Sequence, residues 1–339
     1  DGVTMTVGSV SATAGITFAL ADGATSATLA IAKGTEFAGL SVGSGIAVEI
    51  IGDVEKGDEL FSYTDGTGIA SLTTLTATVN EAASTIHFAT TTADGTSTIT
   101  AGRDMFFIGN NNSFGNTAAW SFTSGGSSTG DTPYFLDTAI LDNGKKISMA
   151  GDVDYDVEVR TSCEIGNSDK TATRNLGNSN TTFTIADGVT VNFTHSSASW
   201  NCGTHIHAKV IGGETATIIL NGSQTNSSLS LAGDMSAYEG VVDTRITKNY
   251  TVVGIIAAPA MTNTYARYYV STNGTAMYRS DNNGPSFFRT EGTYRFGVFK
   301  GAVSPSKGTA NKNVTLELGE MIDEDSCLTY SWAASGSTY

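Results

Sequence analysis

Three stretches, TFTIADGVTVNF, AKVIGGETATIILNGS and SLSLAGDMSAYEGVV, share one layout: an alternating apolar run, a corner of Gly, Asn or Asp, and a second run. Alternation at period two puts every second side chain on the same face of a strand, so each run offers one apolar face for burial. A short strand cannot bury that face alone. Units of roughly 20 to 30 residues solve the problem by stacking, each coil covering the apolar interior of the last at about 4.8 Å. The same alternation recurs in GVTMTV, SATLAIA, NVTLELG and TYRFGVF, whereas apolar residues at i, i+3, i+4 and i+7 rarely persist over three turns. The expected fold is all-β, with a right-handed β-helix in the centre and β-sandwich-like regions on either side.

Changes in composition along the chain divide it into three expected regions. Residues 1–102 form a series of short Gly-, Ala- and Thr-rich strands with turn signals every 8 to 12 residues, ending in STITAGRD. Residues 103–250 begin with two aromatic anchors, Trp120 and Phe135, around a Gly/Ser loop, and continue into the repeat units. Residues 251–339 are rich in Tyr, Phe and Arg, and the spacing again predicts strands.

The pattern Leu229-x-Leu231-x-Gly233-Asp234-x-Ser236-x-Tyr238-x-Gly240-Val241 resembles the autotransporter-associated β-strand repeat of large secreted bacterial surface proteins. The segment 110–159, with AAWSF and DTAILDNGKKISMAGDVDYDVEV, is similar to the module that often precedes such repeats. The resemblance implies a β-helix and an extracellular, bacterial setting, and it assigns no catalytic residue. Only about 90 residues follow residue 250, too few for a barrel of twelve strands at about ten residues each.

Charge narrows the partners. The chain carries a net charge of −15, which argues against nucleic acid. Residues 1–160 hold 19 acidic and 6 basic side chains, while Arg245 to Lys312 holds 9 basic and 2 acidic. One part of the chain is the electrostatic complement of another. The longest apolar stretch, TVVGIIAAPAM, is too short to span a bilayer, so membrane insertion is not expected. The chain opens at Asp1 without a basic start and apolar core, so any secretory signal is expected to have been removed or never to have been present.

Candidate site residues are few. Three cysteines in a secreted chain suggest one bridge and one spare thiol, with Cys163 and Cys202 the expected pair and Cys327 free or linked between subunits; the alternative is three buried reduced thiols. Asp152, Asp154 and Asp156 share one strand face, where they are solvated or bridged by calcium. His205 and His207 alternate on one face beside Cys202, with His195 nearby, but no spacing enforces a tetrahedral metal site. No cofactor is expected. Tyr265, Arg267, Tyr269, Tyr278, Arg279, Arg289 and Arg295 suit stacking on sugars or packing within a core. No GxSxG, HExxH or P-loop occurs. Sequons at Asn111, Asn180, Asn192, Asn221, Asn226, Asn249, Asn273 and Asn313 follow from a composition rich in Asn, Ser and Thr.

Together these features lead to the expectation of a secreted, non-enzymatic structural subunit that polymerises with itself head to tail into an extracellular filament or surface layer. Val3, Met5 and Val7 mark an alternating strand suited to donation into a neighbouring copy. The alternatives are a surface adhesin that binds glycans and a β-helical polysaccharide-degrading enzyme.

Overall fold

A computed structural model describes residues 3–7, 15–167, 172–195, 203–222 and 228–246, together with the backbone of the strands between residues 252 and 330. The fold is all-β, a β-helix of about eight turns, with one short 3-10 turn at Thr117–Ala119 among the described residues. The chain divides into two units. The first comprises residues 1–104 and Tyr134–Thr138, and the second comprises Met105–Pro133 and Ala139–Tyr339.

In the second unit each full coil visits three sheets. Asp156–Val159, Thr182–Ile185, Lys209–Gly212 and Ala237–Tyr238 follow one another in a seven-stranded sheet, here sheet I. Cys163–Asn167, Thr190–His195, Thr217–Gly222 and Val241–Ile246 lie in nine-stranded sheet II, and Thr173–Leu176, Gly203–Ile206, Ser228–Leu231 and Val252–Ile255 form sheet III. Pairing between successive coils is parallel and in register, which sets like on like inside. Val157, Phe183 and Val210 stack in sheet I, Ile165, Phe193 and Leu220 in sheet II, and Leu176, Ile206 and Leu231 in sheet III. All nine side chains are buried. At about 1.5 to 3 kcal/mol for each large apolar side chain removed from water, these ladders are the main source of cohesion.

The lower end of this core is plugged by aromatics. Trp120 packs edge-on against Phe107 at 5.4 Å between ring centroids, and its indole N–H donates to the Phe114 carbonyl at 2.9 Å. Sheet II then runs unbroken through Thr275–Ser280 and Val298–Val303 to Leu328–Tyr330. Beyond residue 250, Val252–Ile255 thus adds to sheet III and these three strands to sheet II, while Ala266–Tyr269, Gly292–Phe296 and Val314–Leu318 pair in parallel in a three-stranded sheet of their own.

The first unit combines parallel and antiparallel pairing in one eight-stranded sheet. Val3–Val7, Ala27–Ala32, Ile46–Asp53 and Thr74–Val79 are successive rungs, with Leu29 on Val48 and Ile31 on Ile50 inside. The far side is closed by an antiparallel meander of Thr74–Val79, Ala82–Ala93 and Thr96–Ala101. Its two-residue turns, Asn80-Glu81 and Asp94-Gly95, take the left-handed conformations that tight hairpins require.

Candidate functional site

The leading sequence motif occupies one coil. Leu229 and Leu231 point into the core from sheet III, and the chain then turns through Gly233-Asp234. A Cβ on Gly233 would fall 1.9 Å from the Ala208 carbonyl oxygen, so only glycine lets this corner pass the coil beneath. The Asp234 carboxylate fixes the corner by accepting the Ser236 N–H at 2.9 Å. Tyr238 is fully buried over Gly212, and its hydroxyl lies 3.0 Å from the Ala216 carbonyl and 2.9 Å from that of Val241. Burial pushes the phenol well above its ordinary range. Gly240 leaves room for that hydroxyl, which a Cβ would approach to 2.8 Å. The motif is thus the packing code of one coil.

Cys163 is buried with a free thiol, and the other member of the expected pair, Cys202, lies outside the described residues. Cys163 stacks on Val191, Ile218 and Val242 in the interior of sheet II. Burial raises the thiol pKa to about 12, with the Glu164 carboxylate adding to the effect. Glu164 itself is drawn upward by burial but held below the usual carboxylate range by Lys146 at 2.6 Å and Thr194 at 2.7 Å.

Asp152 and Asp156 are occupied by backbone. Asp152 accepts the Asn175 N–H at 2.9 Å and Asp156 accepts the Thr182 N–H at 2.8 Å, so each carboxylate staples one coil to the next. His205 and His207 lie with ring centroids 5.9 Å apart, and His195 is buried in register above Asn167. Partial burial holds the His207 imidazole below its usual value despite the Asp152 carboxylate nearby. No group of three metal-ligating side chains is gathered among the described residues. Cys327, Tyr265 and Arg289 lie outside the described residues, and of Arg267, Tyr269, Tyr278, Arg279 and Arg295 only strand backbone is described.

Val3, Met5 and Val7 belong to the terminal strand of the first unit's eight-stranded sheet, paired in parallel with Ala27, Leu29 and Ile31. Met5 continues the interior ladder of Leu29 and Val48, both buried, yet is itself 52% exposed. An apolar stack therefore ends uncovered beside a strand that is paired on one edge only among the described residues.

One cluster has no signal in the sequence. His87 and Asp137 are both fully buried in the first unit, and the His87 Nδ1–H donates to the Asp137 Oδ2. Arg103 donates from its guanidinium to His87 Nε2 at 2.9 Å and from its backbone N–H to Asp137 Oδ1 at 3.0 Å. The Tyr134 N–H donates to Asp137 Oδ2 at 2.8 Å, and its ring meets the His87 ring edge-on at 4.5 Å. Arg103, which can only donate, fixes the imidazole as the tautomer protonated at Nδ1. With Asp137 on one ring nitrogen and Arg103 on the other, His87 has no nitrogen to offer a substrate; the cluster fastens Tyr134–Thr138 in place. Comparisons with protein-family models, curated proteins and solved structures each found nothing that matches this chain.

Proposed function

We propose that the chain is a structural subunit that assembles with copies of itself, end to end, into an extracellular filament or surface layer. The observation that carries this reading is the uncovered rung at Val3–Val7. Parallel coils cohere because each buries the apolar ladder of the last, and here Met5 tops such a ladder while remaining half exposed. Strand edges of this kind are templates for another chain, and natural proteins block them with charge, proline or a bulge. Val3–Val7, VTMTV, carries none of these within it. A contact between two different surfaces of the same subunit does not close on itself unless the rotation does, so it extends into a fibre. The opposed charge of residues 1–160 and 245–312 orients the encounter more than it strengthens it.

The test is to delete residues 1–10 and compare polymerisation by sedimentation and electron microscopy. The shortened chain is expected to keep a β-rich circular dichroism spectrum and to lose polymers. Normal fibres from that chain would exclude the terminal rung as the joint. Saturable binding of monomers to glycans, with no polymer at any concentration, would instead establish an adhesin.

A further inference from the structure

The segment Tyr134–Thr138 belongs to the first unit, although the residues on both sides of it, through Pro133 and from Ala139, belong to the second. It acts as a clip. Asp137 is held by His87 and Arg103, the Thr138 N–H donates to the Arg103 carbonyl at 3.0 Å, and the Thr138 hydroxyl meets the Lys56 ammonium. Phe135 and Leu136 pack against the apolar core of the same unit. The fit is close. Gly102 lies so near the Leu136 carbonyl oxygen that a Cβ there would approach it to 2.2 Å, and Leu136 adopts φ 70°, a left-handed conformation costly for a branched side chain.

We propose that this clip is exchangeable between molecules, so that the first unit of one copy receives Tyr134–Thr138 from another. The receiving groups His87, Arg103, Gly102 and Lys56 all precede residue 105, and the inserted groups all lie within five consecutive residues. Every clip in solution carries the same five residues, so the receptor cannot tell its own from a neighbour's. Exchange of an identical element is a low-cost route to association. Only the high local concentration of the tethered clip, of order millimolar for a short linker, keeps the exchange within one chain. The partner is a second copy, as in the assembly proposed above, but the contact uses neither the Val3–Val7 rung nor the charge asymmetry.

A fluorescent peptide DTPYFLDTA, residues 131–139, tests this on the 339-residue chain without requiring any polymer. With Asp137→Asn as acceptor, whose own clip has lost its carboxylate, the peptide is expected to saturate at one per chain. Replacing the peptide's own Asp137 by Asn weakens binding at least tenfold, and adding His87→Phe to the acceptor abolishes it. Tyr134→Ala, which removes a ring that is 46% exposed, serves as a second acceptor should Asp137→Asn not fold. On the wild-type chain, whose clip competes, binding is expected only at millimolar peptide. No saturable binding to a folded acceptor or to wild type at millimolar peptide, or equal binding of the Asp and Asn peptides, overturns the proposal. Because fibre formation is not the readout, loss of the terminal-rung mechanism would leave this result standing.

Discussion

At the scale of single residues, interior ladders dictate which atoms react and which substitutions are tolerated. Cys163 ends a ladder of Val191, Ile218 and Val242, and its thiol pKa is raised from 9.0 to about 12. It is expected to resist iodoacetamide in the native protein at pH 8 and to react after denaturation, as mass spectrometry of the peptide would show. The raised value also sets a pH dependence. Below pH 9 the thiol is neutral in both states and contributes no slope; between about 9 and 12 the unfolded chain releases a proton that the folded chain keeps. Stability therefore falls with rising pH across that window, by an amount on the order of 4 kcal/mol. Cys163→Val continues the ladder and is expected to remove this part of the alkaline slope in urea titrations; an unchanged slope would contradict the assignment. Tyr238→Phe should cost about 1 to 2 kcal/mol, since it removes the one buried hydroxyl donor shared by the Val241 carbonyl and the Ala216 carbonyl, the latter also accepting the Val241 N–H at 2.8 Å. Tyr238→Ala, which opens a cavity above Gly212, should cost about 3 to 5 kcal/mol in thermal unfolding.

At the scale of elements, the alternation that identifies strands in the sequence also identifies their buried faces. Leu229 and Leu231, Val191 and Phe193, and Val157 and Val159 all point inward as period two requires. Gly233 and Gly240 were legible as corners, though not for the reason the structure gives, which is close approach to the Ala208 and Ala216 carbonyls of the coil beneath. Three features were hidden. The aromatic and Arg-rich composition of residues 251–339 suggests a separate body, but composition carries no record of pairing partner, and Thr275–Ser280, Val298–Val303 and Leu328–Tyr330 add to sheet II. Trp120 and Phe135 read as anchors of one segment, yet Trp120 plugs the second unit while Phe135 packs in the first. His87 and Asp137 stand 50 residues apart with no periodic relation, so only the folded chain brings them together. For the terminal element, a charge placed on the uncovered ladder is the sharpest perturbation. Met5→Lys is expected to leave the melting temperature within a few degrees of wild type while suppressing polymer in sedimentation, because lysine on an exposed strand discourages strand addition. Polymer at wild-type level from that variant would move the joint elsewhere.

At the scale of the whole molecule, a stack of parallel coils is close to one-dimensional, so each new coil adds mainly the interface to its neighbour. In the proposed assembly a further copy would add at the Met5 rung the same interactions that hold Leu29 on Val48 within the chain. Electrostatics would then set rate and orientation: polymerisation should slow as salt rises from 50 to 500 mM, while the fibres once formed persist, because exposed charges are screened and buried apolar ladders are not. The account rests on whether the 339-residue chain builds itself into a continuous β-stack. Electron microscopy of the purified protein at rising concentration and low salt, joined to fibre diffraction of the same sample, measures that most directly. The account predicts unbranched filaments with a strong axial reflection near 4.8 Å; a chain that stays monomeric at every concentration, with no ordered fibre, would contradict it.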